Sequence, residues 1–125
     1  MSDVKVTIFH DKLKALDQAA IRALEKTGEE IHTEVVQAQV IPRDTGHLQN
    51  DATFADTSRS AEGHVDLVSS TPYARRLYYH PEYNFSHKAN PNAGAGWFDQ
   101  WADGGAHADF AATAFAALFK REAGL

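Results

Sequence analysis

The chain has 125 residues, no cysteine and a formal net charge of −5, with 43% hydrophobic and 23% charged residues. That length suits one domain around a single core, and the composition is that of an ordinary globular chain. Disulfides, thiolate catalysis and cysteine-ligated zinc are excluded, and the acidic balance argues against non-specific attraction to nucleic acid or anionic membrane.

Val4, Val6 and Ile8 alternate with Lys5 and Thr7, which predicts a short strand or extended arm. Over residues 11–39, Leu13, Leu16, Ala20, Leu24, Ile31, Val35 and Ala38 form the apolar stripe of one long amphipathic helix. Asp11 is placed to cap it, and Gly28 within it predicts a kink or a close packing contact. Pro42 lacks an N–H and clashes with the preceding turn, so the helix is expected to close there. Pro42, Asp44, Thr45 and Gly46 then make a structural turn, with short side chains that bond nearby backbone and a glycine free to take positive φ.

Beyond this hinge the period changes. Residues 51–57 and 64–70 read as short strands joined by a hairpin loop over 58–63. Thr71 and Pro72 open a short helix over 73–79. Residues 80–96, rich in proline, asparagine and glycine, read as a long loop. Trp97, Phe98 and Trp101 follow on a short turn or helix ending at Gly104-Gly105. Residues 106–122 form a last helix with Phe110, Ala114 and Leu118 on one face and Phe115 and Phe119 beside it. The expected fold is α+β, with the long N-terminal helix and the C-terminal helix packed on a small, mainly antiparallel sheet.

Asp44-Thr45-Gly46 matches the active-site triplet of aspartic proteases, but it follows a long helix rather than a buried strand, so it reads as architecture. On that reading Asp44→Asn leaves function nearly intact, whereas Gly46→Val damages folding. His80, Glu82 and His87 share the loop, and His64 and Asp66 sit two apart, yet no helical metal-ligand spacing occurs and no cofactor is expected. Asp99 and Asp103 could share one helical face as an acid–base pair, and solvated capping residues explain them equally well.

The aromatic residues are more informative. Tyr73, Tyr78, Tyr79, Tyr83, Phe85, Trp97, Phe98 and Trp101 crowd one quarter of the chain, beside Arg75 and Arg76. Some are expected to anchor the loop as a satellite core. Tyr73, Arg75, Arg76, Tyr79, Tyr83, Phe85 and Trp97 are the candidate assembly interface, since tyrosine, tryptophan and arginine are enriched at interface hot spots.

A helix, the run Pro42-Arg43-Asp44-Thr45-Gly46-His47-Leu48, a hairpin, Ser70-Thr71-Pro72-Tyr73-Ala74 leading to Leu77-Tyr78-Tyr79, then Asn90-Pro91-Asn92-Ala93 and Trp97-Phe98 before a final helix follow in order. This order resembles the minor capsid, head–tail joining (tail-completion) proteins of tailed bacteriophages. The resemblance covers residues 29–122. It implies a structural, non-enzymatic virion protein of the neck or tail region, made in the host cytoplasm and assembled into an oligomeric ring. Its implied partners are other neck, connector or tail proteins and further copies of itself, with no membrane and no sequence-specific nucleic acid. The N-terminus has neither the basic stretch nor the apolar core of a secretory signal, in keeping with cytoplasmic assembly. Two other classes fit the residues less well: a small metal-dependent hydrolase or aspartic-protease-like enzyme, and a host-directed binding module. The loop over 80–96 is expected to be loosely held in the free subunit and to order against a neighbour.

Overall fold

A computed structural model describes residues 4–9, 18–42, 48 and 52–124. Its elements in chain order are β1 (Val4–Phe9), α1 (Gln18–Gln37), β2 (Thr53–Asp56), β3 (Val65–Ser69), α2 (Ala74–Tyr78) and α3 (Phe110–Ala123). Single 3-10 turns lie at Ser60–Glu62 and Asp99–Trp101. The strands form one antiparallel sheet in the order β1-β3-β2, so the expected α+β architecture is the one observed. Asp11, Leu13, Leu16 and the Asp44-Thr45-Gly46 turn lie outside the described residues.

The register sets the faces of the sheet. Val4 pairs with Ser69 and Val6 with Leu67, while Thr53 and Ala55 oppose the same two residues from β2. Because side chains alternate along a strand, these six share one face. α1 lies on it through its own stripe of Ala20, Ala23, Leu24, Thr27, Gly28, Ile31 and Val35, all buried. Burying each of Leu24, Ile31 and Val35 contributes about 1.5–3 kcal/mol. β3 is central and buried on both faces, so Asp66 is only 1% exposed, with Arg59 Nη1 3.9 Å from its carboxylate.

Gly28 resolves as a close contact. A Cβ there would stand 2.4 Å from Val65 Cγ1 and 3.4 Å from the Ala55 Cβ. Gly28→Val is therefore expected to cost about 1–3 kcal/mol by overpacking the helix–sheet seam. Thermal unfolding checks it, and an unchanged Tm would mean that α1 stands farther from β3.

Helix α1 stops before Pro42, within two residues of the end at 39 expected from sequence. The helix ends at Gln37, and Gln39 turns the chain with φ +58°. What secures this end is distant in sequence. Asn92 Nδ2 donates to the Ala38 carbonyl at 2.9 Å, Asn92 N to Gln39 at 3.2 Å, Gly94 N to Val40 at 3.3 Å and Asn90 Nδ2 to Ile41 at 2.7 Å. Helices leave their last carbonyls without intrahelical partners. Here the four consecutive carbonyls that follow the helix, Ala38 to Ile41, are taken by one loop segment. The 80–96 loop is thus two different halves, with 90–94 bound to the residues just after α1.

α3 packs chiefly on α1 and also reaches β1. It begins at Phe110, later than the expected 106, after turns closed by Ala108 N to Gly105 O and Phe110 N to His107 O. Ala111 and Leu118 are its most buried residues. At its far end Glu122 bonds Arg22 Nε at 3.0 Å and also Lys26 Nζ, both on α1. Those two cations hold the Glu122 carboxyl below the usual range.

Candidate interaction surface

The aromatic quarter separates into a floor and an outer face. On α2, Ala74, Leu77 and Tyr78 fall at i, i+3 and i+4 and turn inward, while Tyr73, Arg75, Arg76 and Tyr79 turn outward. No side-chain cap starts this helix. Thr71 is buried, its carbonyl accepts from Ala74 N, and its hydroxyl has no hydrogen-bond partner among the described residues.

The floor belongs to the main core rather than to the satellite cluster expected. Trp97 is 2% exposed and Phe98 0%, and both join Leu24, Ile31 and Leu67 in one cluster with Tyr78 and Trp101. The Tyr78 and Trp97 rings meet edge-on at 4.7 Å, and Phe98 lies 5.9 Å from Tyr78. Such pairs add about 0.5–1.5 kcal/mol beyond burial. Trp97 Nε1 donates to Ser69 Oγ at 3.1 Å, and Ser69 Oγ lies 2.7 Å from Thr53 Oγ1. This chain of polar groups satisfies the buried indole N–H and ties the floor to β3 and β2. Trp97, placed in the candidate interface by sequence, is therefore a core residue: its ring has no surface to offer a partner.

Tyr78 also fixes the tilt of α2. Its hydroxyl donates to Asp99 Oδ1 at 2.5 Å, and Gly96 N donates to the Tyr78 carbonyl at 3.0 Å. Gly96 has φ +60°, and a Cβ there would stand 2.3 Å from Asp99 Oδ2, so glycine is required for both reasons. Burial, then the bond to Asp99, raises the Tyr78 pKa well above its ordinary 10. A raised phenol pKa contributes stability that is fully present below the unfolded value, about pH 10, and is lost as pH rises further. Tyr78→Phe is expected to flatten the alkaline loss of stability, read by urea unfolding across that range. A slope equal to wild type would show that another group titrates.

Above this floor stands the exposed face. Tyr73 is 42% and Tyr79 63% exposed, and Arg75 and Arg76 are exposed beside them. Arg76 Nε donates to Tyr83 Oη at 3.2 Å, and Tyr83 stacks on His80 at 4.7 Å. His80 Nδ1 lies 2.7 Å from Glu82, which lowers the Glu82 pKa. Phe85 is half-buried. Six of the seven candidate interface residues thus lie on α2, at its two ends or on the loop that follows. His87 turns away to the Ala93 carbonyl at 3.0 Å, so the loop histidines do not converge. Among the described residues no three histidine or acidic side chains gather as metal ligands, and no helix is long and apolar enough to cross a membrane.

Tyrosine and arginine side chains exposed beside a packed floor are of the types enriched at interface hot spots. Comparison with protein families, with characterised proteins and with solved structures gives no match to this chain.

Proposed function

We propose that this chain is a structural virion protein of a tailed phage, a neck or tail-completion subunit that assembles into a ring joining head and tail. It works by assembly rather than catalysis, in the virion neck or tail region after synthesis in the host cytoplasm. The observation that carries the reading is the outward face of Tyr73, Arg76, Tyr79 and Tyr83 on a floor locked by Tyr78 and Trp97. The ordered motifs that resemble the head–tail joining proteins support the same reading. In it, Tyr73, Arg75, Arg76, Tyr79, Tyr83 and Phe85 meet neighbouring copies or other neck, connector or tail proteins.

Complementation of a phage disrupted in this gene tests the proposal. The wild-type chain restores joined particles, and Arg76→Glu/Tyr79→Ser leaves separate heads and tails. Normal joined particles without any copy of the gene would overturn it. The reading also expects the gene to lie between capsid and tail-tube genes.

A further inference from the structure

A second face of the molecule is complementary to the first. Between α1 and the start of α3 runs a groove of about 370 Å³ lined by Glu29, Glu30, Thr33, Glu34 and Phe110. Phe110, half-buried, gives it an apolar wall, and the carboxylates rim it. Glu30 and Glu34 stand one helical turn apart, a like-charge spacing that destabilises a helix. Lys26, one turn before Glu30, is engaged instead with Glu122 on α3. Among the described residues none of the three rim carboxylates forms an ion pair.

We propose that this groove receives the Tyr73–Arg76–Tyr79 face of a second copy of the chain. Charge complementarity selects that occupant. Arg76 projects from α2 with one donor on Tyr83, and its planar guanidinium matches carboxylates in a fork geometry. An arginine can also lie over the face of a phenylalanine such as Phe110. The two faces stand on different elements and share no residue, so one copy can engage both at once. The contact is head-to-tail, and such contacts close rings or extend as filaments. The inference rests on the self-assembling part of the proposed function and names its second surface.

The absence of native cysteine makes a disulfide test clean. Thr33→Cys and Tyr79→Cys, both at exposed positions, are mixed and oxidised, with circular dichroism confirming the fold of each. The expected result is mixed dimer well above the half that random pairing gives, and a ladder of oligomers from the double variant. Adding Arg76→Glu to the Tyr79→Cys partner returns the mixed proportion to about the random half, and Glu30→Lys/Glu34→Lys on the Thr33→Cys partner restores the excess. Mixed dimer at the random proportion, as expected if another basic protein fills the groove, would overturn the inference. So would a yield indifferent to charge reversal. Either failure leaves the complementation result standing, and the reverse also holds.

Discussion

Trp97→Ala is expected to remove about 3–5 kcal/mol of stability, the largest loss for any single truncation in the aromatic quarter. Trp97 is almost fully enclosed, packs edge-on against Tyr78 and gives its N–H to Ser69. Truncation leaves a cavity under α2 and breaks the bond that joins the floor to the sheet. Trp97→Phe should fall between, keeping part of the packing and losing the N–H. Urea unfolding followed by circular dichroism measures both. An unchanged midpoint together with a selective loss of assembly would return Trp97 to the interface.

Asn90→Ala is expected to cost about 1–3 kcal/mol, the range for leaving a buried carbonyl without its donor. Asn90 is 3% exposed and its amide reaches Ile41, a residue with no exposed surface. The effect should spread along the clamp. In the wild type the amides of Asn92 and Gly94 are bonded to the Gln39 and Val40 carbonyls just after α1 and should exchange slowly, whereas those over 84–89 should exchange fast. In Asn90→Ala the protection of Asn92 and Gly94 should fall first. Equal protection across 84–94 in the wild type would contradict the division of the loop into two halves.

The expectations that succeeded were those carried by local periodicity. The stripe through Leu24, Ile31 and Val35 is a helix, the alternating runs after the hinge are strands, and Gly28 is a close contact. What stayed hidden was long-range. Gln39 turns the chain before Pro42, and the carbonyls of residues 38–41 that follow α1 take their donors from a segment some fifty residues away. Asn90 and Asn92 look like any turn formers, and nothing near them in sequence says which carbonyls they meet. Trp97 and Tyr79 are equally good hot-spot types by composition. Only the packing separates them, one enclosed by the core and the other 63% exposed. Tyr73, Arg76 and Tyr79 lie on the outer side of α2, opposite Ala74, Leu77 and Tyr78, but residue type alone groups them with the buried Trp97, and the three- and four-residue spacing that separates the two sides does not enter that grouping.

Peptide mass spectrometry of purified particles, quantified against the major capsid protein, tests the proposed role most directly. The account predicts that the chain is present in every preparation of joined particles, in several copies per particle, and enriched where head meets tail. A chain abundant in the lysate yet absent from purified joined particles would contradict it.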